Sequence, residues 1–287
     1  MKEKIFGGIE SYCPRDKARL VILPAPFELS TSYIKGTKKG PEAIIKASAY
    51  VELYDEELKT EPYRLGIHTA KSLFPAKDAA GWVRNISLAV KQILAENKFP
   101  VILGGEHTVS VGAIEAYQKS GFPNLSVLQF DAHADLRDSF EGSRLSHACA
   151  ARRIAEKYPL TQVGIRSLSA EEAEFKKGST NVTTFEASPA LRKDTLEGMI
   201  SSLTENVYIT LDLDVFDPAF VPAVGTPEPG GLNWYEVLEV LRYLTTQKRV
   251  VGFDVVELCP LKGSIVSDFL SAKLIYKLIG YIFRKGG

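Results

Sequence analysis

The sequence predicts an α/β fold, a three-layer αβα arrangement around a mostly parallel central sheet, from three observations. Short apolar runs alternate along the chain with segments of helical spacing. Those runs are nearly continuously apolar, as strands covered on both faces require, and do not alternate apolar with polar residues. The turns that end them are rich in Gly, Asp, His or Ser, so polar chemistry gathers at the carboxyl ends of the strands, where open α/β sheets bind ligands.

Six runs read as strands: 19–24 (RLVILP), 101–103 (VIL), 125–130 (LSVLQF), 161–165 (TQVGI), 207–213 (VYITLDL) and 249–256 (RVVGFDVV). Helical spacing fills 41–52, 79–98, 108–119, 147–157, 169–177, 191–204, 233–247 and 268–284. Two of these starts carry cap signals, Ser169 with Glu172 and Asn233 with Glu236, each able to satisfy early backbone N–H groups with a side chain. The Pro- and Gly-rich stretch 214–231 (DVFDPAFVPAVGTPEPGG) reads as an ordered loop and not as a boundary, so one domain over 1–287 is expected.

Composition narrows the partners. With 45% hydrophobic residues the chain can bury a large core, and 35 Lys plus Arg against 35 Asp plus Glu leaves no net charge to favour nucleic acid or a membrane surface. A small-molecule partner is expected. The cysteines Cys13, Cys149 and Cys259 are odd in number and form no CxxC pair, which suits a reducing, cytoplasmic setting. The N-terminal stretch has no apolar h-region, and the apolar C-terminal segment is interrupted by Lys273 and Lys277 well short of a membrane span.

Three strand ends carry the chemistry. After 101–103 comes GGEHT, where Gly104 and Gly105 permit a sharp exit and His107 stands at a helix start. After 125–130 come Asp131, His133 and Asp135, whose i, i+2, i+4 spacing puts three donors on one side of an extended backbone. After 207–211 come Asp212 and Asp214. Read singly, each has an ordinary explanation: a solvated turn, a capping Asp, a hydrogen-bonded loop His. Together they bring four carboxylates, a charge of −4 with neutral imidazoles, which two divalent cations would neutralise. Six ligands serve two ions if some carboxylates bridge, as in hydrolytic pairs with metals ~3.5–4 Å apart. The oxygen-rich set, one imidazole per ion, suits Mn²⁺, whereas zinc would draw more His or Cys.

The segments GGEHT, FDAHADLRD, SHACAARRI, LDLDVFDPAFVPAVGTPEPGGL and DVVEL, with the early STSYIKGTKKGPEAI, follow in the order and spacing of the ureohydrolase family, the arginases and agmatinases, which this chain resembles over most of its length. The resemblance implies an arginase-like fold and two Mn²⁺ per chain. It makes His107, Asp131, Asp135 and Asp212 ligands of one ion and Asp131, His133, Asp212 and Asp214 ligands of the other, with Asp131 and Asp212 bridging. It implies further that His147 relays a proton, that Glu257 pairs with a guanidinium and that Thr226 lies against it. A trimer or hexamer of identical chains is the expected assembly. The early helix departs from the family in GPEAIIKAS, where an Arg commonly follows the Ile.

Hydrolysis of a guanidinium C–N bond to urea and an amine is the implied reaction. Arginases hold the α-carboxylate of arginine partly through an Asn just beyond the DxHxD motif, whereas here the region reads DLRDSFEGSRLSHAC, with no Asn and with Asp138 and Glu141 adding negative charge. The wording resembles agmatinases more, so agmatine is the expected substrate, ahead of N1-aminopropylagmatine, 4-guanidinobutyrate and arginine. A metal-binding homologue that has lost catalysis is the alternative of another class, and the presence of every site position weighs against it. Cys149 and Cys259 are expected to pack as small apolar side chains without chemistry.

Overall fold

The computed structural model describes residues 5–118, 120–187 and 193–284. Eight strands form one sheet: β1 Leu20–Ala25, β2 Ile67–Thr69, β3 Phe99–Gly104, β4 Leu125–Phe130, β5 Leu160–Ile165, β6 Val182–Glu186, β7 Asn206–Asp212 and β8 Arg249–Val256. Their order is β2-β1-β3-β8-β7-β4-β5-β6, and every pairing is parallel. After β3 the chain skips two places to lay down β4, and β7 and β8 later fill the gap. The strands that carry the sequence motifs, β3, β8, β7 and β4, are therefore four neighbours in the middle of the sheet, with their carboxyl ends side by side.

Among the described residues eight helices cover the sheet: α1 Gly40–Ser48, α2 Ala79–Ala95, α3 Thr108–Glu115, α4 Ala150–Ala155, α5 Ala170–Gly178, α6 Lys193–Ser201, α7 Trp234–Gln247 and α8 Val266–Phe283. Successive strand residues serve opposite layers. In β1, Leu20 and Ile22 join the core beneath α1, α6, α7 and α8, while Val21 and Leu23 join the core beneath α2, α3 and α4. Both faces are covered by buried apolar residues, which explains why the central strands read as continuous apolar runs. The three-layer architecture is the one the sequence predicts.

The differences lie at edges and ends. β2 and β6 were not expected from sequence: β2 has three residues, and β6 (VTTFE) buries only Val182 completely, so neither shows a sustained apolar run. Helices are shorter than their periodicity, with α1 ending at Ser48, α2 at Ala95 and α3 at Glu115. His147–Cys149 form a 3-10 turn ahead of α4, not its first turn. The C-terminal helix begins two residues early, at Val266. The expected ends of two helices, Lys119 and residues 191–192, lie outside the described residues.

Both capping boxes are present: Ser169 accepts from the Glu172 N–H, and Asn233 accepts from the Tyr235 and Glu236 N–H groups, each worth about 1 kcal/mol. In α1, Ile45 is buried in the core shared with α8, where an Arg would be out of place. Among the described residues no helix is long and apolar enough to cross a membrane.

Candidate metal centre and active-site pocket

At the end of β3 the chain turns on Gly105, where any Cβ would collide with the Phe27 carbonyl. The turn delivers His107 to the start of α3 with its ring fully enclosed. At the end of β4, Asp131 and Asp135 are buried and His133 between them is about a quarter exposed. Asp135 has φ 51°, a conformation Asp tolerates better than most residues, and this twist turns its carboxylate back toward His107. At the end of β7, a 3-10 turn over Leu213–Val215, capped by Asp212 accepting from the Asp214 N–H at 2.9 Å, places Asp214 beside its neighbour.

All six residues meet. The His107 Nδ1 lies 3.0 Å from Asp131 Oδ2, 3.2 Å from Asp135 Oδ2 and 3.3 Å from Asp212 Oδ2. Yet Nδ1 is buried without a hydrogen-bond partner. Proximity without alignment is the relevant fact, because hydrogen bonds weaken steeply off axis. The other ring nitrogen, Nε2, bonds the Thr210 Oγ1 at 2.9 Å, and the Thr210 hydroxyl donates to Asp254 Oδ1 at 2.8 Å. With the hydroxyl proton committed to a buried carboxylate, Thr210 can only accept from the ring. Nε2 therefore carries the hydrogen, and the Nδ1 lone pair points into a ring of three carboxylate oxygens.

A second group shares Asp131. His133 Nδ1 lies 2.8 Å from Asp214 Oδ2 and 3.7 Å from Asp131 Oδ1, the opposite oxygen from the one facing His107. His107, Asp131 and Asp135 form one set of convergent donors able to hold a cation, and Asp131, His133 and Asp214 form another. Backbone and amide donors hold the shared residue: the Gln129 amide donates to Asp131 Oδ2 at 2.7 Å and the His133 N–H to Oδ1 at 2.6 Å. The Ala132 N–H donates to Asp214 Oδ1 at 2.9 Å.

The electrostatics of this cluster are unbalanced. Burial, then the neighbouring carboxylates, pushes Asp131 and Asp212 above the carboxylate range. Burial opposes charge on His107 and His133 too, but the facing carboxylates outweigh it and raise both. Left alone, the cluster takes up protons to compensate its charge. A donor set with a directed imidazole lone pair, buried oxygens and no cationic side chain fits divalent metal.

A cavity of about 260 Å³ opens over the cluster, lined by His133, Asp135, Asp212, Asp214, His147, Thr226 and Glu257, with Tyr33, Ile34, Arg137, Phe140 and Leu168 toward its mouth. Glu257, directly after β8, has φ 64° and accepts the His107 N–H through Oε1 at 2.7 Å. Burial and the nearby Glu106 carboxylate raise its pKa well above the usual value, so it is poised to receive a cation. The Pro- and Gly-rich loop is ordered, as expected, and its anchor is Arg166, whose guanidinium donates to the carbonyls of Asp214 at 2.7 Å, Glu228 at 2.8 Å and Pro229 at 2.9 Å.

One expectation changes. Asp138 does not charge the pocket, because it pairs outside it with Arg144 at 3.1 Å and Arg153 at 2.8 Å. Arg137 does line the wall, but its Nε lies 3.8 Å from Glu172 and its guanidinium sits 5.4 Å from the Phe140 ring centre, so it is already partnered. Cys149 and Cys259 are buried, and burial holds both thiols above their ordinary range. Sequence reasoning missed Thr210, Asp254, Gln129, Ser30 and Glu106. Glu106, Ser30 and Asp254 stood inside the motifs GGEHT, STSYIKGTKKGPEAI and DVVEL, but nothing there marked their roles.

A model of the Arginase family matches residues 18–280. The chain is 42% identical to an N(1)-aminopropylagmatine ureohydrolase of Synechocystis sp., over 97% of this chain and 94% of that protein. It is 35% identical to an agmatinase of Pyrococcus horikoshii, over 93% of each. Among solved structures it matches the agmatine ureohydrolase of Thermoplasma volcanium with a TM-score of 0.89 at 30% identity, covering 99% of this chain and 96% of that one. On the extent of these matches, the chain belongs to the arginase family.

Proposed function

We propose that this chain hydrolyses the guanidino C–N bond of agmatine, giving urea and putrescine, with two Mn²⁺ ions in the strand-end cluster. The observation that carries the proposal is the unpaired His107 Nδ1 facing three carboxylate oxygens, beside a second donor set that shares Asp131. His107, Asp131, Asp135 and Asp212 would hold one ion. Asp131, His133, Asp212 and Asp214 would hold the other. Bound there, the ions supply an acidified water and an electrostatic clamp on developing charge.

The chain's own groups do the rest. Glu257 spends one oxygen on the His107 N–H and keeps its remaining lone pairs for the substrate guanidinium, fixing the plane of that group against Thr226 on the cavity wall. Water adds to the guanidinium carbon, the bond to the alkyl nitrogen breaks, and His147 delivers the proton that the departing amine needs.

The partnered state of Arg137 supports an amine-ended substrate over a carboxylate-ended one such as 4-guanidinobutyrate or arginine. A second reading, N1-aminopropylagmatine, is favoured by the 42% identical relative and by the apolar mouth of Tyr33, Ile34, Phe140 and Leu168, which suits a longer methylene chain. Urea release by Mn²⁺-loaded protein with the four guanidines side by side tests both. Preference for either amine-ended compound upholds the site, the winner fixing the tail, and no urea from any of them overturns it.

A homo-oligomer remains our proposal for assembly, supported by the exposed apolar patch of Ile265, Val266 and Phe269 beside Trp234. A cytoplasmic location is proposed from the three free cysteines.

A further inference from the structure

Glu106 is wholly buried next to the metal cluster, yet its carboxylate faces away toward residues 29–30. Its Oε2 accepts the Leu29 N–H at 2.6 Å and the Ser30 N–H at 2.7 Å. Its Oε1 accepts the Ser30 hydroxyl at 2.6 Å and the Thr108 hydroxyl at 3.0 Å. These four bonds fill the acceptor sites of a carboxylate. The Ser30 hydroxyl is the donor in its contact with Glu106 Oε1, so its single proton is committed to Glu106.

That leaves Ser30 Oγ with two lone pairs. One accepts the His147 backbone N–H at 3.0 Å, and the other faces His147 Nδ1 at 3.2 Å. Ser146 Oγ, at 3.3 Å from the same nitrogen, is the longer contact. An oxygen that offers only lone pairs can bind Nδ1 only as N–H. The ring is held besides by Phe140, edge to face at 5.7 Å. We infer that Glu106 and Ser30 are positioning residues that lock His147 as the Nδ1–H tautomer and turn Nε2, the proton-carrying atom, toward the departing amine. The inference rests on His147 acting as the relay proposed above.

A double-mutant cycle tests it. Ser30→Ala is expected to lower kcat about tenfold or more with KM within about twofold and bound metal unchanged, and His147→Asn about a hundredfold. In the His147→Asn background, Ser30→Ala is expected to have no further effect. Equal losses from Ser30→Ala in both backgrounds overturn the inference, as that would make Ser30 a structural loop residue. Full activity in His147→Asn removes the relay itself, and no urea from the wild type removes the reading of the whole site. A second measurement reads the ring directly: long-range ¹⁵N–¹H spectra of the Mg²⁺-loaded protein, which has only four histidines. A proton on Nδ1 of His147, lost or shared in Ser30→Ala, supports the lock. A wild-type ring protonated on Nε2 with no proton on Nδ1 overturns it, whatever the kinetics.

Discussion

Two charge clusters in this molecule follow opposite logic. On α8, Lys277 is 3% exposed and pairs with Asp55 at 3.2 Å, Glu56 at 3.0 Å and Glu57 at 3.4 Å. Arg242 joins Glu57 at 2.6 Å, Lys273 joins Glu56 at 3.6 Å, and the Tyr281 hydroxyl donates to Glu57 at 2.6 Å. Three carboxylates meet three cations. Over the sheet, Asp131, Asp135, Asp212 and Asp214 meet two imidazoles, and one ring nitrogen has no partner. The α8 cluster is complete in itself and holds the fold. The other is complete only with something added, which is the mark of a site.

The largest expected break concerns Asp131, the carboxylate shared by both donor sets. Asp131→Ala is expected to abolish paired metal binding and lower kcat/KM by on the order of a thousandfold or more, checked by metal analysis and urea release. In metal-free protein the direction reverses: Asp131→Asn removes a repelling charge and is expected to raise the melting temperature. At α8 the same surgery fails. Lys277→Met strands Asp55 in the core and is expected to cost about 3–5 kcal/mol in urea denaturation, leaving the activity of the folded fraction intact.

Smaller effects sharpen the contrast. Thr210→Val takes away the acceptor of His107 Nε2 and is expected to weaken metal binding about 10–100-fold, measured by competition with a chelator, without unfolding the protein. The α8 cluster has its own pH signature. Burial works against the Glu57 carboxylate, but the hydrogen bonds from Arg242 and Tyr281 dominate and hold it down to about 2. A depressed acid stabilises the fold above its unfolded value, and that contribution is lost as pH falls from about 4.5 through about 2. The acid unfolding midpoint of Arg242→Met is therefore expected at higher pH than that of the wild type.

The six cluster positions were legible in sequence because each follows an apolar run, and parallel sheets align such ends. His147, Thr226 and Glu257 were visible only through resemblance, and the structure brings all three to one cavity. Ser30 and Glu106 are 76 residues apart and Ser30 and His147 are 117 apart, so no local pattern joins them. Asp254 read as part of an apolar strand, and only the fold puts Tyr208, Thr210 and Ser110 around it. The supposed negative charge of Asp138 was misread because its partners, Arg144 and Arg153, come from a later turn and helix. The edge strands β2 and β6 escaped for a different reason: a strand with one neighbour needs no long apolar run.

The most direct test of the central claim is the stoichiometry of Mn²⁺ retained by metal-stripped protein after equilibrium dialysis, read together with urea release from agmatine. Two ions per chain, with activity rising as the second binds, is the result expected from a cluster that lacks its own cation. Urea release at full rate with one ion or none would contradict it.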